Sequence, residues 1–208
     1  MIDDRSALAK RFIDEYWSYY LQIENDVIDT FSYVEPDIRN FSTFSRKYKD
    51  LLSAIGSEVD VVGKSIAELV DTNDKKLADA HIAHWGFVVE RFFPRISSAA
   101  VSMRGNIQLV PWKNWSNEIA KDKNKHTIYR LQSASSNPEW WKAYNKTKHR
   151  RRSLANPEDS NYERANLKNV ISGLAGLFTL ETILAEVIGR GSLPEKPQSK
   201  LFKLSDTE

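Results

Sequence analysis

The sequence predicts an all-α protein, a four- to five-helix up-down bundle that carries a small irregular or β-hairpin insertion. Apolar residues recur at three- and four-residue steps in long stretches at about 4–34, 44–70 and 162–188, as they do on the buried faces of helices. This helical period disappears between about residues 97 and 136. A bundle interrupted by one insertion is the simplest fold with both features.

Length and composition favour one soluble domain. We expect residues 1–190 to form it and 191–208 to form a C-terminal tail, because 208 residues suffice for a substantial core. Hydrophobic residues make up 41% of the chain and charged residues 28%, and the absence of cysteine excludes disulfides and thiolate metal sites. No uninterrupted apolar run reaches the roughly 18 residues of a membrane span, and the first residues lack the apolar region of a signal peptide. A cytoplasmic protein with no membrane partner and no cofactor is expected.

The first two helices have recognisable boundaries and packing positions. Pro36 is expected to end the first helix, since the residue before a proline avoids helical geometry. In the second helix, Gly56 and Gly63 lie one heptad apart and mark a line of close approach. Glu58 falls at the edge of the apolar face of this helix. It is either exposed or, if buried, in need of a cationic partner.

A third helix is predicted from the polar cap cluster at 72–74 to Phe93, where Pro94 follows. His81 and His84 are three residues apart on it, a spacing that can bring two imidazoles to one metal. No third ligand accompanies them in a recognised motif, so the sequence favours ordinary helix histidines and no metal site.

The insertion contains one hairpin signal and two anchors. Residues 101–103 and 107–109 alternate between apolar and polar on either side of an Arg-Gly-Asn turn, which predicts a β-hairpin. Trp112 and Trp115 follow, and we expect both indoles to hold the insertion against the core. In the last helix, Gly173 and Gly176 are expected to permit close packing of a neighbour.

Positive charge is concentrated in one segment. Between Lys121 and Arg152 there are ten Lys or Arg residues and two acidic ones, a balance of +8 in a chain whose net charge is +2. Such asymmetry indicates a polyanionic partner, with nucleic acid first among the candidates. The alternative is a solvated basic face.

The segment from Asn137 to Arg152 is predicted to be an aromatic, basic helix. Asn137 is expected to cap it, because Pro138 follows at a position where its missing N–H has no cost. Asn145 and His149 are one helical turn apart, so the amide could orient the imidazole. A histidine beside cations meets the requirements of metal-independent RNA cleavage, which needs a proton acceptor and charges that stabilise a phosphorane.

The run Asn145-Lys146-Thr147-Lys148-His149-Arg150, followed by the helical residues 165–170, resembles the HEPN superfamily of all-helical bacterial proteins. A weaker similarity lies at 56–60 in the second helix. The resemblance implies a four- or five-helix bundle, two copies that meet as a homodimer, and a toxin–antitoxin or antiphage setting with a cognate protein partner. The ribonuclease motif of that superfamily is an Arg, four to six intervening residues and a His, often preceded by Asn. Here the Arg positions hold Lys142 or Tyr144, and Lys lacks the bidentate guanidinium fork.

Two hypotheses follow. In the first, the protein is a HEPN-like RNA- or nucleotide-associated protein or a metal-independent endoribonuclease, in which His149 acts as general base or acid, Asn145 orients it and Lys142 supplies charge. Glu58 would complete the polar cluster. The cations expected to hold phosphate are Lys146, Lys148, Arg150, Arg151 and Arg152. In the second, the protein is a non-enzymatic helical interaction module with a solvated basic face. Trp140, Trp141 and Tyr144 then anchor the helix in the core, and His149 is a structural residue beside the solvated cations.

Overall fold

The computed structural model of the protein describes residues 2–74, 77–104, 106–149, 160–189 and 197–205. The helices are α1 (Ile2–Arg11), α2 (Ser18–Thr30), α3 (Arg46–Val70), α4 (Ile82–Phe92), α5 (Glu139–His149) and α6 (Leu167–Gly189). The strands are β1 (Val101–Met103), β2 (Ile107–Leu109), β3 (Asn117–Lys121), β4 (Thr127–Leu131) and β5 (Phe202–Leu204).

The prediction of an all-α bundle is wrong, because the described chain is a mixed α and β protein. Five short strands form two antiparallel sheets, one ordered β2-β1-β5 and one made of β3 and β4. The hairpin predicted at 101–109 is present as β1 and β2, with Met103 opposite Ile107. Strands β3 and β4 form a second hairpin in the insertion, and β5 comes from the C-terminal segment.

The first predicted helix is not a continuous α-helix, and it ends at residue 30 instead of the predicted residue 34. Between α1 and α2 the chain forms a π-helical segment, Phe12–Trp17, so that helical backbone continues from residue 2 to residue 30. The segment buries Phe12 and Trp17, and Trp17 stacks on Tyr20 with 4.6 Å between ring centroids. A wider turn at this point changes which side chains face the core.

The third predicted helix is shorter than expected. Only α4 is an α-helix, with His81 in extended backbone at its N-cap position. A single 3₁₀ turn, Leu77–Asp79, precedes it. The polar residues 72–74 therefore lie in the connection before α4 and do not cap it.

Helices α3 and α6 form the centre of the core. They pack more extensively against each other than any other pair of elements. In the described part of the chain, α6 is the one helix long and apolar enough to cross a membrane. However, 78% of the most apolar 18-residue stretch of α6 is buried inside the fold, as in the core helix of a soluble protein.

Glycines of the core helices contact aromatic rings and not other backbones. A Cβ built on Gly63 would stand 2.6 Å from the Trp85 indole of α4, and one on Gly176 would stand 3.0 Å from the Trp140 indole of α5. The missing side chains therefore make room for indoles, which are the largest groups in the core.

The two tryptophans of the insertion hold it to the core, as expected. Trp112 and Trp115 are fully buried and in contact, with 4.4 Å between their ring centroids. The Nε1–H group of Trp112 donates a hydrogen bond of 3.1 Å to the carbonyl oxygen of Gly176. This bond ties the connection before β3 to α6.

A buried carboxylate holds the C-terminal segment in place. Glu24 of α2 is completely buried and accepts hydrogen bonds from the Tyr20 hydroxyl and from the backbone N–H groups of Lys200 and Leu201, at 2.9, 3.0 and 3.2 Å. It also accepts from the Ser199 hydroxyl. These four donors supply hydrogen bonds to both carboxylate oxygens, and no cation pairs with Glu24 among the described residues.

Candidate nucleic-acid-binding site at the end of helix α5

Helix α5 begins without the expected cap. The Pro138 carbonyl accepts the first helical hydrogen bond, from the Lys142 N–H at 3.0 Å. The side-chain oxygen of Asn137 is buried and has no hydrogen-bond partner among the described residues. The capping prediction for Asn137 is therefore wrong, and the helix gains its stability from packing.

One side of α5 is part of the core. Trp140, Trp141 and Tyr144 are 5% exposed or less. The Trp140 Nε1–H donates to the Pro111 carbonyl at 2.8 Å, and the Tyr144 ring covers Gly56 of α3. The aromatic half of the helix thus fixes the position of its last turn, up to His149.

The last turn of α5 carries the candidate functional side chains on its outer side. Lys146, Lys148 and His149 are exposed, and Asn145 is half-buried. We call the three exposed residues the basic end of α5. Buried Thr147 lies among them and donates to carbonyl oxygens of its own helix, at 2.9 Å to Ala143. Side chains that face the core and side chains that face solvent therefore alternate along the last turn of the helix.

Asn145 and His149 are one turn apart but are not joined. Within the described residues, neither side chain makes a hydrogen bond or an ion pair, and none connects the two. The imidazole is accessible to a ligand, and the amide has its donors and acceptor available. The orienting role expected for Asn145 has no direct contact that supports it.

Two cations of the predicted site already have partners on the helix. Lys142 pairs with Glu139 at 2.9 Å, across three residues. Lys148 donates to the Tyr144 hydroxyl at 3.1 Å, and its ammonium lies 5.2 Å from the centre of the Tyr144 ring. Lys146 has no such partner among the described residues. Arg150, Arg151 and Arg152 lie outside the described residues.

A further cation belongs to the surroundings of α5. The 3₁₀ segment Tyr162–Arg164, which leads into α6, packs beside α5. Arg164 on this segment is exposed, and its Nε–H donates to the Asn161 side-chain oxygen at 3.2 Å. Sequence reasoning missed Arg164 because it assigned this segment to the last helix and did not place it near α5.

Glu58 does not belong to this site. It is 9% exposed on α3, and within the described chain no cation or hydrogen bond pairs with it. Burial raises the pKa of its carboxyl above the usual value. Its charge interacts instead with Glu181 of α6, whose pKa is raised well above the usual value by burial and then by Glu58. Neither sequence alternative for Glu58, exposure or a cationic partner, is observed.

The geometry supports anion binding better than organised catalysis. Exposed cations and an available imidazole at the C-terminal turn of a rigidly packed helix can contact successive phosphates of a nucleic acid. Within the described chain, no hydrogen bond or ion pair holds the His149 imidazole in an orientation for proton transfer.

Comparisons of this chain with protein-family models, with curated proteins and with solved structures found no match.

Proposed function

We propose that the protein is a HEPN-like RNA- or nucleotide-binding protein whose contact surface is the basic end of α5. The observation that carries the proposal is the division of this helix into two sides. Its aromatic residues are buried against α3 and α6, while Lys146, Lys148 and His149 are exposed on its last turn. A rigid support for exposed cations is what phosphate contacts require.

The charge pattern supports a polyanion as the partner. The segment from Lys121 to Arg152 has a balance of +8, and the remaining segments together are acidic. Arg164 adds an exposed cation next to α5. Lys148 can bind phosphate from its place over the Tyr144 ring, because a cation–π contact leaves its outer N–H groups available.

His149 is the residue that would make the site an endoribonuclease. In this second proposal the His149 imidazole accepts the proton of a ribose 2′-hydroxyl, and that oxygen attacks the adjacent phosphorus. The bond from phosphorus to the 5′-oxygen breaks, and a proton from water completes the leaving group. The available imidazole favours this role. Lys142 is left out of it because it is paired with Glu139.

The HEPN resemblance also leads to a proposal about the role of the protein in the cell. It supports a cytoplasmic protein of a toxin–antitoxin or antiphage system, with a cognate protein partner and a homodimer that brings two copies of His149 together. Sedimentation of the purified protein at several concentrations tests the dimer, and a monomer at all of them contradicts it.

One observation favours the non-enzymatic alternative. Lysines and a histidine in the last turn of a helix stabilise its C-terminal dipole without any ligand, by roughly 0.3–1 kcal/mol each. Lys146, Lys148 and His149 occupy that turn. A measurement of RNA binding therefore distinguishes the proposed RNA-binding protein from the non-enzymatic interaction module.

Binding is tested with the double variant Lys146→Gln/Lys148→Gln, in which both side chains keep part of their aliphatic length. If each lysine contacts a phosphate, the slope of log affinity against log salt falls by about 2. The matched control is Lys113→Gln/Lys203→Gln, two exposed lysines outside α5. Equal slopes for the two double variants, or no RNA binding at all, contradict the binding proposal.

Cleavage is tested separately with a structured RNA in EDTA. We expect His149→Ala to abolish metal-independent cleavage and His126→Ala to leave it unchanged, since His126 is also exposed but lies on the β3–β4 hairpin. Cleavage that survives in His149→Ala removes the catalytic role. RNA binding without cleavage removes the enzyme and keeps the binding protein.

A further inference from the structure

An exposed aromatic pair lies where the first turns of α3 and α6 meet. Phe44, two residues before α3, is 46% exposed. Its ring contacts that of Tyr162 edge to face, with 6.1 Å between the ring centroids and 89° between the planes. The contact orients the Phe44 ring and leaves nearly half of its surface open to solvent. We call Phe44 and Tyr162 the aromatic pair.

Backbone hydrogen bonds hold the aromatic pair in place. Phe44 forms an isolated antiparallel β-bridge with Asn166, the residue before α6. Beside it, the N–H group of Leu167 donates to the carbonyl oxygen of Thr43 at 2.9 Å. The segment before α3 is thereby joined to the start of α6, the two helices at the centre of the core. A ligand that stacks on Phe44 thus meets a preorganised surface, which lowers the entropic cost of binding.

Positive charge surrounds the aromatic pair. Within the described chain, Arg46 lies two residues from one end of the bridge, and Arg164 and Lys168 lie two residues from the other end. All three side chains are exposed, and none forms an ion pair with a described residue. Glu163, an exposed carboxylate on the same segment as Arg164, leaves the balance at +2. The surroundings of the exposed ring therefore attract anions.

Helix dipoles do not account for these cations. The N-terminal end of a helix favours anions, and cations stabilise the C-terminal end. Arg46 and Lys168 lie in the first turns of α3 and α6, where their charge opposes the dipole. The dipole explanation that applies to the basic end of α5 does not apply here. An anion at this position would be attracted by the side chains and by both helix ends.

The aromatic pair is next to the proposed RNA contact. The 3₁₀ segment that carries Tyr162 packs beside α5, so a strand bound at the basic end of α5 can continue onto Phe44. Proteins bind single-stranded nucleic acid by stacking bases on aromatic side chains while cations contact the backbone. The bases of a duplex already stack on one another and are not available to the ring. The combination therefore favours unpaired nucleotides.

We propose that Phe44 stacks on an unpaired base of the RNA that binds at the basic end of α5, while Arg164 and Lys168 contact the adjoining phosphates. Tyr162 is a positioning residue, because its ring supports Phe44 and does not itself have to touch the base. The inference rests on the proposed RNA-binding function and adds to it a preference for single-stranded RNA.

An abasic oligoribonucleotide, which keeps the phosphates and lacks the bases, separates stacking from charge. Phe44→Leu keeps an apolar side chain and removes the ring. We expect it to weaken binding of a single-stranded RNA about tenfold, and to change binding of the abasic strand or of a duplex less than about twofold. Lys168→Gln should weaken the normal and the abasic strand by the same factor, because it acts on a phosphate. An equal loss for both strands in Phe44→Leu overturns the proposal.

Two further variants serve as controls for the ring. Phe92→Leu removes a phenylalanine of almost the same exposure, 47%, at the end of α4. It should leave the affinity for single-stranded RNA within about twofold of the wild-type value. Phe44→Trp retains an aromatic face and should bind at least as tightly as the wild-type protein. Equal effects of Phe44→Leu and Phe92→Leu, or a tenfold loss in Phe44→Trp, contradict stacking at this position.

Adenosine 5′-monophosphate and ribose 5-phosphate test the aromatic pair without the basic end of α5. The ring signals of Phe44 in ¹H–¹³C spectra should shift and saturate with the nucleotide and not with the sugar phosphate. No response, with RNA binding intact, removes the stacking and leaves the proposed function. A response in a protein whose RNA affinity does not depend on Lys146 and Lys148 keeps the stacking and removes the role of α5. Lost self-association of Phe44→Leu at unchanged RNA affinity overturns the proposal and assigns the ring to a protein contact.

Discussion

The Tyr144 ring of α5 lies directly over Gly56 of α3, so close that a Cβ built on Gly56 would stand 2.5 Å from the ring atom Cγ. Real Cβ atoms essentially never come this close to another heavy atom. The Tyr144 ring therefore packs directly against the backbone of Gly56 and leaves no room for a side chain. The absence of a side chain at position 56 therefore sets the distance between the two helices. It also places the turn that follows Tyr144, which carries Asn145 and His149.

Gly56→Ala should destabilise the fold although alanine is the better helix former. The added methyl group must displace the Tyr144 ring, and such overpacking costs about 1–3 kcal/mol. Urea unfolding measures the loss. The control is Gly173→Ala, where the nearest side-chain atoms would be 3.2 Å away and helix propensity offsets the crowding by about 1 kcal/mol. Equal losses in the two variants would show that the Tyr144 contact does not limit the packing.

Glu181 should make the stability of the protein fall as pH rises. Burial and Glu58 raise the pKa of Glu181 above its model-compound value of 4.5, so the folded protein retains a proton that the unfolded chain releases. The free energy of unfolding then decreases as pH rises from about 4.5 through the folded-state pKa. Glu58, whose pKa burial also raises, adds to the same trend.

Glu181→Met tests this dependence. Both carboxylate oxygens of Glu181 are enclosed and have no hydrogen-bond partner in the part of the chain that the structure describes. An apolar side chain should therefore stabilise the fold by about 1–3 kcal/mol at pH 8. The gain should shrink at pH 5, where the carboxyl of the wild-type protein is protonated. Glu186→Met, on the exposed side of the same helix, should follow the wild-type curve. A gain of the same size at both pH values would contradict a raised pKa of Glu181 in the folded protein.

Glu24→Gln should release the C-terminal segment. The amide retains one acceptor oxygen but turns an NH₂ group toward four donors, and each donor left unsatisfied costs about 1–3 kcal/mol. Hydrogen exchange at the Leu201 amide should accelerate. Asn25→Ala removes only the surface acceptor of the Lys200 ammonium, 2.7 Å away, and should leave that exchange rate within about threefold. An unchanged rate in Glu24→Gln would mean that β5 pairing alone holds the segment.

The long elements could be predicted from the sequence because their periods extend over many turns. The second helix, predicted at 44–70, is α3 at Arg46–Val70. The last helix, predicted at 162–188, is α6 at Leu167–Gly189, which starts five residues later and ends one residue later. The packing role of Trp112 and Trp115 also followed from composition, since large aromatics are rarely left in water. These predictions depend on local pattern and on burial, both of which a sequence displays.

The strands beyond the first hairpin could not be predicted in the same way. Strand β5 has three residues, too few for any period, and pairs with β1 about a hundred positions earlier in the chain, Phe202 opposite Met103. Such a pairing depends on tertiary contacts, Glu24 among them. The all-α prediction failed because it counted only segments long enough to show a period.

The site was predictable in part. That Trp140, Trp141 and Tyr144 face the core followed from their neighbouring positions on a helix. The pairing of Lys142 with Glu139 also follows from helical spacing, and weighing it would have lowered the expected catalytic role of Lys142. The hydrogen-bonded His84–Asp74 pair could not be predicted, because the two residues are ten positions apart and do not share one regular helix or strand whose spacing would place them together.

The hydrogen bonds of Glu24 also determine when helix α2 can complete its packing during translation. The donors at 199–201 are made about 175 residues after Glu24, at roughly 5–20 residues per second. For that interval, many seconds long, the carboxylate must stay hydrated, and α2 cannot complete its burial. The nascent chain is thus expected to remain an open helical intermediate until its final described segment emerges, and to be most vulnerable to proteases and aggregation during translation.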